Sequence, residues 1–262
     1  MLTPAQVAQF KAQGFLRSSK VLGDANVEVL RGELERVMRE TASREVPRPI
    51  SISNLNDSTA TPVWQIVNIW EASAPFRRLI SHPTIVEEVA QISGAKELRL
   101  WHDQIQFKPA TLGGVNHWHQ DGPYWPSIAP SNEQVSAWIA LDDVDEENGC
   151  MSMVPGSHLW GNCIELLQGL PDFESMPRSH EGHDIEVRRV PVKKGEVHYH
   201  HGLTWHGSHA NKSGRHRRAI ACHYMTEKTR FVASGNHLMH RFIEVADGQK
   251  LEGAHFPLVW AG

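Results

Sequence analysis

The stretch QVSAWIALDDVDEENGCMSMVPGSH, Gln134–His158, decides how the rest of the chain is read. Its first ten residues suit a strand. The acidic run Asp142–Glu147 reads as a solvated turn that ends at Asn148-Gly149. CMSMV is a second strand, and PGSH, Pro155–His158, is the turn that closes it. Strand, turn, strand, turn over so few residues marks an antiparallel β architecture, because Gly, Pro and Asn supply the backbone angles that reverse the chain.

Working outward, the same rhythm recurs. LRLWHDQIQF (Leu98–Phe107) precedes the stretch, and EVRRVPV, GEVHYHH and RRAIACHYM follow it, after an irregular insert at 159–186. The N-terminal part is different. Thr3, Pro4 and Gln6 form a capping-box pattern that opens a helix, Gly14 ends it, and GFLRSS reads as a short strand. Asp24 is expected to cap a second helix to about Glu40, with Val27, Val29, Leu30, Leu34 and Val37 as its apolar positions. Residues 42–62, rich in Ser, Thr, Asn and Pro, read as loop. His82–Gly94 reads as a helix capped at Thr84. The expected class is mainly β with N-terminal helices, an all-β barrel or sandwich behind a helical layer. No repeat or low-complexity linker divides the 262 residues, so a single domain, 1–262, is expected.

Composition narrows the function. A net charge of -4 offers no electrostatic case for nucleic acid. No run of about 18 apolar residues suggests a membrane span, and the N-terminus lacks a secretory pattern. A cytoplasmic protein is expected. Cys150, Cys163 and Cys222 form no CxxC pair and read as free thiols in a reducing compartment. Seventeen histidines, clustered in the second half, point to metal chemistry.

GGVNHWHQDGPYWP, Gly113–Pro126, places His117, His119 and Asp121 at every second position, hence on one face of a strand. The other dense cluster, His198–Gly214, holds His198, His200, His201, His206 and His209. Two histidines and one carboxylate make the facial triad of non-heme Fe(II) oxygenases, whereas structural zinc closes all four positions and usually recruits cysteine. Strand parity alone leaves open a pairing of His117 with His119, as in histidine-only cupin sites. Iron of this kind commonly works with 2-oxoglutarate, whose distal carboxylate wants a buried arginine. In RHRRAI, Arg215–Ile220, alternation points Arg217 and Arg218 opposite ways, so at most one enters the interior.

HQDGPYW, SAWIALDDVDEENGCMSMVPGSH, KKGEVHYHHGLTWHGSHANKSG and RHRRAIACHYM, in that order and spacing, together with the opening LTPAQVAQFKAQGFL, resemble the phytanoyl-CoA dioxygenase family. The resemblance spans most of residues 1–230 and is weak only at 42–62 and 159–186. It implies a double-stranded β-helix (jelly-roll, cupin-like) barrel flanked by helices, with a helical layer roughly over 1–96, the core roughly over 97–230 and a C-terminal segment at 231–262. It implies Fe(II) bound by His119, Asp121 and His206, and 2-oxoglutarate contacted by Arg217 and Ser208. Trp138 and Gln104 line that pocket. O2 is the oxidant, ascorbate a reductant. The implied reaction hydroxylates an unactivated carbon of a small molecule and releases succinate and CO2. Halogenation is disfavoured, because Asp121 keeps the carboxylate that a halogenase gives up for halide. The alternatives are a cupin-like metal-binding protein or a cupin-type dioxygenase without 2-oxoglutarate, neither of which needs Arg217.

The remaining residues have plainer expected roles. His117 supports the ligands or faces substrate. His198, His200, His201 and His209 are ordinary strand and loop residues, and His158 stabilises its turn. Arg215 and Arg218 lie on the outer surface. Tyr124 and Trp125 are core residues or substrate contacts, and most of the nine tryptophans fill the interior. The loop at 42–62 and the insert at 159–186 form the substrate mouth, where Arg48, Arg178, His180 and His183 would suit an anion or solvent.

Overall fold

The structure is a computed structural model that describes residues 1–40, 45–56 and 59–262. Helix α1 (Pro4–Gln13) begins with the Thr3–Gln6 capping box and ends at Gly14, whose φ of 79° lies in the left-handed region. A side chain there would meet His158 and Thr204 at 2.5 Å, so the chain turns into β1 (Phe15–Lys20) only with glycine. His158 Nε2 lies 3.2 Å from the Lys11 carbonyl, so His158 fastens the end of α1 rather than its own turn.

Helix α2 (Asp24–Arg39) buries Val27, Leu30, Leu34 and Val37. Two expectations fail here. The cap is Gly23, and Asp24 is the first helical residue, its carboxylate drawn to Lys20 Nζ at 2.8 Å. Val29 is exposed, because it lies off the i, i+3, i+4 stripe that the other four define. The expected loop at 42–62 contains a strand, β2 (Ser51–Asn54), paired with β3 (Trp64–Val67); residues 42–44 and 57–58 of that stretch lie outside the described residues. Helices α3 (Ile69–Ala72), α4 (Ala74–Leu79) and α5 (Pro83–Ser93) follow. The cap of α5 is His82, not Thr84, since Pro83 already has the φ of a first helical residue.

The β elements are β4 (Glu97–Lys108), β5 (Asn116–His119), β6 (Ile128–Ala129), β7 (Gln134–Ala140) and β8 (Met151–Met153). The insert, expected to be irregular, carries helix α6 (Ile164–Gln168) and the short pair β9 (Ser179–His180) and β10 (His183–Asp184). It is anchored where Phe173 stacks on Trp118 at 5.0 Å. Then come β11 (Arg188–Val190), β12 (Glu196–His201), β13 (His206–Ser208), β14 (Arg217–Thr226), β15 (Arg230–Phe231) and β16 (Leu258–Ala261).

A major sheet runs in the order β1-β12-β7-β14-β4-β3-β2, with β16 also on β4, and a minor sheet runs β11-β8-β13-β5. This is the jelly roll that the sequence implied, as two facing sheets. Strands from residues before 96 and after 230 join the major sheet, so neither boundary is a seam in it.

Register assigns the two faces of the major sheet. Val197, Ile139, Ile220, Ile105 and Ile66 are successive partners across five strands, all fully buried against the helical layer. Each such side chain contributes roughly 1.5–3 kcal/mol by leaving water. The neighbouring rows must face the other way. One row is His198, Trp138, Ala221, Gln104 and Val67, and another is Ala140, Ala219, Gln106 and Gln65. These rows look toward the minor sheet.

The acidic turn departs from expectation at its first residue. Asp142 is buried, and it pairs with Arg31 and with Arg218, which also reaches Glu35 at 3.2 Å. Asp143 and the tip, Glu146 and Glu147, are exposed.

Candidate active site

His119 ends β5 and His206 begins β13, and the two are direct partners across the minor sheet. Their ring centres are 4.1 Å apart. Each ring is oriented by its own strand: His119 Nδ1 lies 2.7 Å from the His117 carbonyl and His206 Nδ1 lies 2.9 Å from the Thr204 carbonyl. A carbonyl can only accept, so the proton sits on Nδ1 and Nε2 keeps its lone pair. Both Nε2 atoms lie 3.6 Å from Asp121 Oδ1. One ligand atom from each of the three residues fits within 4.8 Å of the others, a spacing that suits one metal ion. Burial, with His119 alongside, pushes His206 well below its ordinary pKa, which keeps it neutral as a ligand must be.

Asp121 does not continue the strand, contrary to the simple alternation. It has helical angles (φ -69°, ψ -49°) at the head of a short turn, Gly122–Tyr124. Pro123 cannot donate to a ladder, and the chain leaves the sheet after His119. The buried Gln120 amide holds this exit, bonding the Gly161 and Leu203 carbonyls and accepting from the Cys163 N–H. Oδ1 of Asp121 is thereby aimed at the histidines. Oδ2 accepts from Ser136 Oγ at 2.9 Å and from His200 Nε2 at 3.0 Å. His223 Nδ1 lies 2.7 Å from the same serine oxygen. Burial by itself would raise the Asp121 carboxyl, but His206, His200 and His223 hold it well below the usual range, as carboxylate.

His200 is therefore not an ordinary strand residue. Its signal lay in parity: His200 pairs with Ser136 on the face that carries Trp138. Of the other histidines, His201 bonds the Asn132 carbonyl and His209 pairs with exposed Glu174, both away from Asp121. His117 is exposed and lines the adjoining cleft.

Arg217 is fully buried, its guanidinium 4.9 Å from the centre of the Trp138 ring, and none of its three side-chain nitrogens has a hydrogen-bond partner. The next inward residues on its strand, Ala219 and Ala221, are small and buried. Burial lowers the guanidinium to about 10, so it is still cationic at neutral pH. An unpaired buried cation is costly and calls for an anion. The carboxylate of a dicarboxylic acid answers that need, and the donor set fits 2-oxoglutarate. Arg218 points outward to Asp142, and Arg215 to Asp145 and Glu147. Ser208 is buried and its Oγ accepts from Lys108 Nζ at 2.7 Å. Lys108, a fully buried residue that sequence reasoning missed, also bonds the Ser208 and His209 carbonyls and is Arg217's register partner. Gln104 and Trp138 line one narrow space with His119, Asp121, His206 and Ser208.

A cleft of about 490 Å³ opens beside His119 and Asp121. Tyr124 and Trp125 both line it. Leu55 and Asn56 come from the 42–62 stretch and Leu167, Gln168 and Leu170 from the insert, as the expected mouth would have it. His237 and Leu238 of the C-terminal segment complete it and were not foreseen. Arg48, Arg178, His180 and His183 are not among its lining residues.

Residues 10–219 match the model of the family described as Phytanoyl-CoA dioxygenase (PhyH). The chain is 27% identical over 245 residues to the peroxisomal phytanoyl-CoA dioxygenase of Bos taurus, covering 85% of this chain and 68% of that protein. It is 27% identical over 228 residues to the ectoine dioxygenase of Bordetella parapertussis, covering 81% and 71%. The solved structure of SnoK, a non-heme alpha ketoglutarate dependent carbocyclase from nogalamycin biosynthesis, matches with a TM-score of 0.77 and 26% identity over 99% of this chain and 97% of that one. Fold and likeness together define an oxygenase that depends on iron and 2-oxoglutarate. Within that class the chain belongs to the phytanoyl-CoA dioxygenase family. No helix among the described residues is long and apolar enough to cross a membrane.

Proposed function

We propose that the protein hydroxylates an unactivated carbon of a small molecule bound in the cleft beside His119. Iron(II) is held by His119, Asp121 and His206, and the distal carboxylate of 2-oxoglutarate by Arg217, with Ser208 and Lys108 beside it. When bound, iron(II), 2-oxoglutarate and O2 supply the oxidising power for hydroxylation, with release of succinate and CO2. The chain's own residues do the rest. The His117 and Thr204 carbonyls keep the imidazole protons off Nε2. Ser136 and His200 fix Oδ2 of Asp121 so that Oδ1 is presented to the metal. Trp138, packed under the guanidinium, keeps water from Arg217. The ligands sit at strand ends or immediately beyond, on rigid supports that such a site requires.

The observation that carries this reading is the buried, unpartnered guanidinium of Arg217. A histidine-only cupin dioxygenase would have no use for it. The test is a small-molecule screen with iron, ascorbate and labelled 2-oxoglutarate. The reading expects a hit in which succinate and a product heavier by one oxygen form together. Oxygen uptake that proceeds equally without 2-oxoglutarate would contradict it.

A further inference from the structure

We infer that the molecule taken by the cleft is uncharged and held through hydroxyl, carbonyl or amide groups by a bank of carboxamides. Calling it the substrate rests on the oxygenase reading above; the binding chemistry does not.

Gln65 and Gln106 face each other in register across β3 and β4, and Gln104 lies two residues along on the same face. All three line the cleft, with Asn116 from the minor sheet. Gln65, Gln104 and Gln106 are half-buried, so their amides stay open to the cleft, and Asn116 Oδ1 is buried and unpaired. His102, on the same strand and parity as the two glutamines, is 2% exposed, lines the cleft, and leaves Nε2 buried without a partner. Unmade hydrogen bonds on buried groups are costly, so His102 and Asn116 call for a partner, and a ligand that shuts water from the glutamines must complete their bonds as well.

The charge of the cleft says which ligand. Among its described lining residues there is no lysine and no arginine, and the single acid is Asp121, committed to the metal site. His102 and His237 are held neutral by burial, His237 at about 4. A phosphate, a carboxylate or the phosphates of a coenzyme A thioester would find no lysine or arginine as counter-charge, His117 being the one exposed histidine of the described lining. A bare hydrocarbon would leave the carboxamides and His102 unsatisfied. A carboxamide both donates and accepts, which matches hydroxyl, carbonyl and amide groups alike. Val67, Trp125 and Leu170 give the carbon skeleton an apolar wall. The volume, about 490 Å³, lies inside the range of roughly 300–1,000 Å³ typical of small-molecule sites.

The test uses the oxygen-free protein loaded with iron(II) and 2-oxoglutarate, equilibrated with three matched pairs: decalactone and decanoate, a methyl glucoside and a sugar phosphate, decanamide and decanoyl-CoA. Retention after ultrafiltration is read by mass spectrometry. The neutral member of at least one pair should be retained about tenfold over its charged partner, and the preference should vanish in Gln65→Leu/Gln106→Leu. Gln106→Lys should turn the preference toward the charged member. Retention of charged members by the wild type, or no member retained more by the wild type than by the double variant, overturns the inference. Visible absorption of the iron–2-oxoglutarate chelate, read in the same sample, reports the oxygenase reading separately. Its absence with neutral ligands still retained would sink that reading and leave this one standing.

Discussion

The Arg217 guanidinium, at the start of β14, lies 4.9 Å from the centre of the Trp138 ring, with no hydrogen-bond partner for any of its side-chain nitrogens. Two consequences oppose each other. In the ligand-free protein the charge is a burden, and with a carboxylate beside it the same charge becomes the anchor. Arg217→Met should therefore raise the melting temperature of the ligand-free protein. It should weaken 2-oxoglutarate binding roughly 10- to 150-fold, the equivalent of about 1.5–3 kcal/mol for a charged hydrogen bond. Calorimetric titration and thermal melts check both. An unchanged 2-oxoglutarate affinity would remove Arg217 from the site.

His200 touches no proposed metal position and acts by holding Oδ2 of Asp121. His200→Leu should lower iron affinity about 10- to 100-fold, the usual effect of losing a partner that orients a ligand. Competition with a coloured chelator measures this. Affinity equal to wild type would show that Ser136 alone orients the carboxylate.

Gly207 separates the two functional residues of β13. A side chain there would approach the Phe173 ring at 2.9 Å and the Asn116 carbonyl at 3.0 Å. Gly207→Ala should push β13 from β5, lower the melting temperature and weaken iron binding together, because His206 and His119 are partners across that strand pair. A variant with wild-type iron affinity would mean the strands absorb the methyl group without moving.

The buried histidines set the acid limit of stability. His201, His223 and His237 titrate at about 4, mainly because burial disfavours the cation, and His102 and His198 are likewise depressed. A folded value below the unfolded one, about 6.5, means that the unfolded chain takes up protons first. Stability is then fully present above about pH 6.5 and lost as pH falls toward 4, by up to about 1.4 kcal/mol per pH unit for His223. Urea unfolding of the metal-free protein across this range should show the decline. A flat profile would mean these rings are solvated.

Much of this site was legible because its chemistry sits in short local patterns. Alternation put Arg217 and Arg218 on opposite faces, as they are, while the choice of His119, Asp121, His206 and Arg217 came from the family resemblance. What was not legible depends on register between strands far apart in sequence. Lys108 became part of the interior only because it faces Arg217, and His200 only because it faces Ser136. Composition also misled. The polar stretch before Trp64 reads as loop, yet Ser51–Asn54 forms a strand because β3 offers it an edge. Asp142 looks like one of several surface acids until Arg31 and Arg218 close on it from a helix and a neighbouring strand.

The central claim is that one metal ion and one keto diacid bind together between His119, Asp121, His206 and Arg217. Its most direct test is anaerobic titration of 2-oxoglutarate into iron(II)-loaded protein, followed by visible absorption, with Asp121→Asn and Arg217→Met alongside. The account predicts a saturable charge-transfer band in the wild type, loss of the band in Asp121→Asn, and a midpoint shifted to much higher 2-oxoglutarate in Arg217→Met. A band of unchanged strength and midpoint in both variants would contradict it.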